Sequence, residues 1–341
     1  MARILARFNG VIHYHEQSLV YGSINQRIYR SSDGGLQWRL LTTLPISGYW
    51  RVLQRLPLGR RFFRAGIRHI VPAGDHLVIF GYGLIYRYHL ETASFSPPTR
   101  IIGSRPFAVC TGPGWLYYGE YGRNPKRRPV KVLRSNDHGV HWEVAYVFDR
   151  IRHIHGIFYD AESDAIWVTT GDEDHESGLW VTTDHFRTVR LVLGGSQRFR
   201  VVWLLFTPES VYFGSDTGRI PNALYRYSRR DGKVEALQLV DGPVFYGTRI
   251  AGELFFSTVC EPNRCHPTKQ LTVWRSTDGA AFRPWLHLTK DCWPKRWFQY
   301  GQVLFPAGPG QAGAVWLSAV ACCDFKGSMK IILAESSAAG N

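Results

Sequence analysis

Four arginines stand at comparable points along this 341-residue chain: Arg68, Arg105, Arg152 and Arg200. His69, His153 and His155 sit beside them, and Tyr246 and Tyr300 occupy the matching points further on. A second series runs in parallel: Glu120, then Asp172 with Glu173 and Asp174, then Asp216, Glu261 and Asp324. Each of these acids follows the small or Cys residues that end a β-like run. Together these residue types make a mixed-sign polar set. Arginines bind carboxylates in bidentate fashion, histidines exchange protons near neutral pH, and carboxylates or tyrosines act as acids, bases or nucleophiles. Such a set suits recognition of an acidic sugar and acid–base chemistry upon it. The alternative is that the acids simply pair with the arginines as a satisfied polar core.

These residues share a register because the chain repeats. Ser31-Ser-Asp33-Gly-Gly35-Leu-Gln-Trp38 and Ser135-Asn-Asp137-His-Gly139-Val-His-Trp142 both fit S-x-D-x-G-x-x-W. Weaker copies are Thr182-Thr-Asp184 and Ser276-Thr-Asp278-Gly-Ala-Ala-Phe282, with a remnant at Asp231-Gly232. The last four aspartates are spaced 47, 47 and 47, and the first gap of 104 holds two units of 52. Regular spacing of this length marks a repeat architecture. Each turn follows a short β-like run, such as Arg27-Ile-Tyr-Arg30 or Lys131-Val-Leu-Arg134. A polar Asp/Gly turn between two such runs is a hairpin whose Asp bonds its own turn backbone.

The S-x-D-x-G-x-x-W turns resemble the Asp-box (BNR) repeat of sialidases and related β-propellers, over nearly the whole chain. Counting four strands per unit predicts an all-β, seven-bladed propeller forming a single domain over 1–341. Its blades start near Asn9, Arg68, Arg105, Arg152, Arg200, Tyr246 and Tyr300. The last blade runs out of chain after Lys330-Ile-Ile-Leu333. The segment Arg3-Ile-Leu-Ala-Arg7 is therefore expected as its outer strand, closing the ring and removing an open edge. With the strands of each blade labelled A to D from the axis outward, the Asp turns fall between C and D. The D-to-A links carry the arginines and the B-to-C loops carry the acids, and both belong to the opposite face. There the arginines face one small volume, where uncompensated charge is costly and an anionic ligand would relieve it.

For a sialidase-like hydrolase the resemblance implies an Arg cluster for the substrate carboxylate, a Tyr nucleophile assisted by Glu, and an acidic proton donor. Arg68, Arg105, Arg152 and Arg200 are candidates for the first role and Tyr246 or Tyr300 for the second. The family's Arg-Ile-Pro motif belongs near the N-terminus, so Arg219-Ile220-Pro221 in a mid-chain loop reads as coincidence. A second chemistry is β-elimination on a uronic-acid polymer, as in propeller-fold polysaccharide lyases, with Arg152, a base at His153 or His155, and Tyr246 or Tyr300 as acid. Glu120 and Asp172 complete the catalytic candidates, and His69, Asp216 and Glu261 the substrate-binding ones. A third reading is a protein of polysaccharide assembly, either a glycosyltransferase or a non-catalytic glycan-binding propeller.

Composition bounds the partners. Lys+Arg number 41 against 27 Asp+Glu, a formal net charge of +14 that favours anionic partners. Nucleic acid is not expected, because the basic residues are spread among blades instead of forming an arm or helix. No N-terminal apolar run of signal-peptide type is present, so the expected location is cytoplasmic. One segment breaks the repeat: 49–67, YWRVLQRLPLGRRFFRAGI, places Arg51, Arg55, Arg60, Arg61 and Arg64 among Leu and Phe. It is either a solvated insertion packed on the propeller or a basic amphipathic element for membrane association, interrupted at Pro57 and Gly59. No metal or cofactor is expected. Cys260-x4-Cys265-His266 and Cys322-Cys323 are irregularly spaced and read as inert thiols or a Cys260–Cys265 disulfide, and no glycine-rich phosphate loop is present.

Overall fold

The computed structural model describes residues 3–56, 58–261 and 268–333. They form a seven-bladed β-propeller, seven small sheets in which consecutive strands of a blade pair antiparallel. The inner strands begin at Val11, Ile67, Val109, His153, Val201, Val244 and Gln302, close to the blade starts read from the repeat.

By contact density the chain divides into two compact units. One spans Arg68–Phe245 and holds blades 2 to 5. Blade 4 is built from His153–Asp160, Ala165–Gly171, Gly178–Thr182 and Arg190–Gly194. Blade 5 is built from Val201–Phe206, Ser210–Ser215, Ala223–Ser228 and Val234–Leu239. Burial grades across each blade. The second strands of blades 4 and 5 are buried at every residue, whereas the outermost strand of blade 4 is half exposed. A second strand lies between sheets on both faces, which is why AIWVTTG and SVYFGS read as unbroken apolar or small runs. Phe158, Trp167, Leu179, Val201, Leu204, Phe213 and Tyr225 form the core between blades 4 and 5. Ile154, Ile157 and Val168 join Tyr117 and Val132 between blades 3 and 4. This packing fixes the two inner strands that carry the site.

The other unit runs to Ile67 and resumes at Tyr246. Ile4–Phe8 is the outer strand of the last blade, paired antiparallel with Gly327–Ile332 from Ile4↔Ile331 to Phe8↔Ser328. Closure by the N-terminal strand is therefore observed. An unforeseen element also appears here. Ala307–Gly310 pairs in parallel with the inner strand of blade 1, Val11–Glu16, and extends that sheet to five strands.

The Asp turns have one repeated geometry. Ser31 Oγ donates to Asp33 Oδ1 at 2.7 Å and accepts from the Gly35 amide at 2.8 Å, while Asp33 Oδ1 accepts from the Leu36 and Gln37 amides at 3.0 Å. Ser135/Asp137, Thr182/Asp184 and Ser276/Asp278 repeat it. The Thr188 amide and hydroxyl hold Asp184 down at about 2. Gly35 has φ +99, and a Cβ there would lie 2.3 Å from the Trp316 ring, so two independent constraints demand glycine.

The insertion forms two short helices, Gly48–Leu53 and Gly59–Phe62. Arg61 ties it down, with Nη1 2.5 Å from Asp291 Oδ2 and Nε donating to the Phe298 carbonyl at 3.0 Å. Phe62 stacks on Trp297, centroids 5.7 Å apart. No helix among the described residues is long and apolar enough to cross a membrane.

Candidate functional site

The site is built on the loop that leaves the second strand of blade 4. That strand ends at Gly171, where a Cβ would sit 2.6 Å from His155 Cε1 and 3.3 Å from Arg200 Cγ. Only glycine admits both neighbours. A single turn of 3-10 helix, Asp174–Glu176, follows. Glu173 and Glu176 form a reciprocal capping box across it. The Glu176 carboxylate is buried: Oε2 accepts the amides of Asp172 at 2.8 Å and Glu173 at 3.1 Å, and Oε1 accepts Arg127 Nε at 2.5 Å. Burial pushes its pKa up, and the Arg127 bond with the two amides overcomes this, leaving it lowered. From the next blade, Gln197 Nε2 donates to the Asp172 carbonyl at 3.0 Å and to Asp174 Oδ1 at 2.8 Å, and its Oε1 accepts the Thr217 hydroxyl at 2.8 Å. The backbone of Asp172 is thus held at both its amide and its carbonyl.

Four cationic or titratable side chains meet its carboxylate. Arg152 Nη1 lies 3.0 Å from Oδ2. His155 Nε2 lies 3.1 Å, Arg200 Nη2 3.3 Å and His153 Nε2 3.5 Å from Oδ1. Arg200 also reaches Asp216 Oδ2, through Nε at 3.4 Å. The arginines come from the links that precede the inner strands of blades 4 and 5, and the acids from the loops after the second strands. This is the pairing of links with loops expected from strand order. The two histidines stand two residues apart, the spacing that lines one face of a strand, and a bulge falls between them and the next pair: His153 pairs with Gly171, Ile154 with Thr170 and Gly156 with Thr169, so His155 is an extra residue. Bulges re-aim side chains in this way. His153 Nδ1 faces the Gly122 carbonyl at 3.1 Å, and His155 Nδ1 faces the Val201 carbonyl at 3.2 Å.

Burial works against charge on Asp172, but the two histidine rings beside it and the Arg200 charge dominate, holding its pKa far below the usual carboxylate range. His155 is pushed down to about 4, chiefly by burial and further by His153 and Arg200, against the pull of Asp172. At neutral pH the pair is therefore an ionised Asp172 beside a neutral His155.

The other candidates make contacts of their own. Glu120 Oε2 accepts the Lys131 amide at 3.1 Å, a bond that shapes its own loop. His69 Nε2 meets the Pro106 carbonyl at 2.9 Å, and desolvation lowers its pKa to about 4. Arg68 and Arg105 are half-buried at the starts of blades 2 and 3. Tyr246, Tyr300 and Glu261 belong to the other compact unit. There the buried Tyr246 hydroxyl donates to Gln302 Oε1 at 3.2 Å, and Glu261 pairs with Lys295 at 3.1 Å. Arg219, set aside in the sequence, pairs with Glu173 at 2.6 Å and so joins the acidic loop. Glu176 and Gln197 carried no sequence signal, because they bond the backbone of Asp172, and Arg127 carried none because it acts on Glu176 from 49 positions away. Cys110, Cys292, Cys322 and Cys323 are free thiols, and Cys265 and His266, on which the Cys260–Cys265 disulfide reading depends, lie outside the described residues.

No family model matches the chain, and no curated protein matches it either. Solved structures do. A chain from the Mitotic Checkpoint Complex aligns with a TM-score of 0.60 at 10% identity, covering 97% of this chain and 91% of that one. The extracellular domain of a putative one-component system from B. thetaiotaomicron aligns with a TM-score of 0.56 at 13% identity, covering 97% of this chain and 39% of that one. The GH74 enzyme of Niastella koreensis aligns with a TM-score of 0.54 at 11% identity, covering 83% and 46%. This chain spans less than half the length of the last two. At such identities the likeness is one of fold, and propellers host unrelated functions.

Proposed function

We propose that this chain is a carbohydrate-active protein that binds an acidic glycan, of uronic- or sialic-acid type, at the Arg152–Asp172–Arg200 cluster and cleaves a glycosidic bond there. The observation that carries this reading is two arginines and two histidines gathered around one ionised carboxylate. A guanidinium offers five donors, more than one carboxylate takes up, and Arg152 keeps a third of its side chain exposed. A sugar carboxylate would meet Arg152 and Arg200 as Asp172 does. The Asp-turn geometry supports kinship with Asp-box propellers, and a GH74 enzyme among the fold neighbours is consistent with carbohydrate chemistry.

Between the two cleavage chemistries, β-elimination fits better. Hydrolysis by a carboxylate pair needs one acid kept protonated, and Asp172 is held far from that state. Elimination needs positive charge on the uronate carboxylate and a neutral acceptor for the C5 proton, which the arginines and His155 supply. Incubation with uronate polymers tests this. The near-ultraviolet absorbance of an unsaturated product is expected, and its loss in Arg152→Ala. Reducing ends without that absorbance indicate hydrolysis, and failure to bind any acidic sugar overturns the reading.

A second reading, polysaccharide assembly at a membrane, is favoured by one surface. Tyr49, Val52, Phe62, Phe63, Trp293 and Trp297 are all exposed, and Arg51, Arg55, Arg60 and Arg296 are exposed among them. Interfacial aromatics with basic residues suit an anionic bilayer. Sedimentation with anionic but not neutral vesicles supports this reading, and equal indifference to both removes it.

A further inference from the structure

The contacts of His153 and His155 leave a deficit of protons. A carbonyl oxygen only accepts, so the Nδ1 atoms facing Gly122 and Val201 must both be the donors. In neutral rings that leaves both Nε2 atoms as bare lone pairs. Yet they face each other at 3.1 Å, and both face Asp172 Oδ1, at 3.1 and 3.5 Å. Three acceptor atoms converge there, with Arg200 Nη2 beside Oδ1 at 3.3 Å as the one donor facing them, and a cation among them relieves their repulsion.

We propose that His153 Nε2, His155 Nε2 and Asp172 Oδ1 form an open three-ligand site for a divalent first-row metal cation, of which zinc is the type. Three features support it. The first is spacing: neighbouring ligands of a tetrahedral zinc with bonds of about 2.0–2.1 Å stand about 3.3 Å apart, which falls within the observed 3.1 to 3.5 Å. The second is the outer shell. Metal-bound imidazoles characteristically donate their other N–H to a backbone carbonyl or carboxylate, and both do so here. Arg152 holds Oδ2, fixing the carboxylate so that Oδ1 faces the rings. The third is charge. Arg200 Nη2 shares Oδ1 at 3.3 Å, a cation close to the proposed cation, but Asp216 sits 3.4 Å from Arg200. With Arg152 and Arg200 set against Asp172 and Asp216, the arginine and carboxylate charges sum to zero and do not repel an incoming metal.

Two histidines and one carboxylate leave coordination positions open, as catalytic sites do. A cation there would take over the charge-neutralising part of the chemistry and polarise a bound water or sugar oxygen, and with His155 Nε2 on the metal a metal-bound hydroxide would replace His155 as acceptor of the C5 proton. This departs from the metal-free expectation drawn from residue spacing. Asp75, His76 and His138 form a second group of donors, but Asp75 is exposed and is bound by His76 and by His89, the latter at 3.2 Å.

The site stands on its donors and not on the glycan reading, so its test uses no sugar. The full chain, stripped with a chelator, is titrated with Zn2+ and with Co2+ as an absorbing probe. One equivalent per chain is expected, with visible bands of low-coordinate cobalt and two solvent-exchangeable, paramagnetically shifted imidazole N–H resonances. His155→Gln and Asp172→Asn should each weaken binding at least tenfold, and His138→Ala should leave it unchanged. Absence of stoichiometric binding by the wild type overturns the proposal, as does binding that follows His138. If the ligand variants do not fold, the wild-type resonances decide: fewer than two exchangeable imidazole signals contradicts the site.

Discussion

The inner strands of blades 1 and 4 carry the same short pattern, two histidines separated by one residue, yet they build different things. His13 and His15 lie on Val11–Glu16, and His153 and His155 on His153–Asp160. Both strands bulge within the pattern, between Ile12 and Tyr14 and between Ile154 and Gly156. In blade 1, His13 Nε2 meets the Ser23 hydroxyl at 2.7 Å and His15 Nε2 meets the Gln17 carbonyl at 3.0 Å. Each ring has its own neutral partner, and the second and third strands are joined by a tight turn through Asn25 at φ 59. In blade 4 the same join is the longer loop that presents Asp172, and both rings turn to it. The difference lies in the loop, not in the histidines. A strand supplies direction, and the exit of its neighbour decides whether the histidines are structural or form a site.

The comparison breaks most sharply at the carboxylate. Asp172→Ala leaves Arg152 and Arg200 without it, and removing one partner of a buried ion pair typically costs about 3–5 kcal/mol. Since Asp172 is slightly exposed, the lower end, about 3 kcal/mol in denaturant unfolding, is expected. Ser23→Ala in blade 1 removes one neutral hydrogen bond and should cost about 1 kcal/mol. Equal costs would mean that the two histidine pairs are alike.

Gly171→Ala sharpens the comparison without touching a charge. Its methyl meets His155 Cε1 at 2.6 Å, so the ring must shift away from Asp172. Overpacking of this kind costs about 1–3 kcal/mol, and glycan affinity should fall at least tenfold by calorimetry. Unchanged affinity would show that His155 has no part in recognition.

The smallest effect concerns pH. Burial, aided by Lys330, lowers His15 to about 4 from its ordinary value near 6.5. Between those values the unfolded chain binds the proton and the folded chain does not, so stability rises with pH across this window. Acidification from pH 6.5 to 4 should lower the melting temperature, and the decline levels off below 4, where both states are protonated. His15→Gln should flatten part of that slope. An identical slope in the variant would show that His15 titrates normally in the folded chain.

Much of the frame was legible in the residues themselves. The Asp turns at 47-residue spacing located the third-to-fourth strand hairpins, and strand order then placed Arg152 and Arg200 on links, and Asp172 and Asp216 on loops, of the same face. The outer strand from the N-terminus followed from a last blade that ran short. What stayed hidden depends on geometry that residue types do not encode. The i, i+2 spacing of His153 and His155 gives them one face of the strand, but bulges have no fixed residue, so the aim of both rings at Asp172 could not be read from it. Glu176 and Gln197 act on backbone amides and carbonyls, which every residue possesses. The parallel strand Ala307–Gly310, AGPG, has no β-like composition and is held by its neighbour alone. The clamp of Arg61 on Asp291 joins residues 230 positions apart, a separation at which the sequence alone does not show contact.

The central claim is that Arg152 and Arg200 recognise the carboxylate of an acidic sugar, and calorimetric titration with matched uronate and neutral oligosaccharides tests it directly. Binding of the uronate alone, weakened by salt and reduced at least tenfold in Arg152→Ala, is the predicted result. Equal binding of the neutral sugar, or uronate binding indifferent to Arg152→Ala, would contradict it.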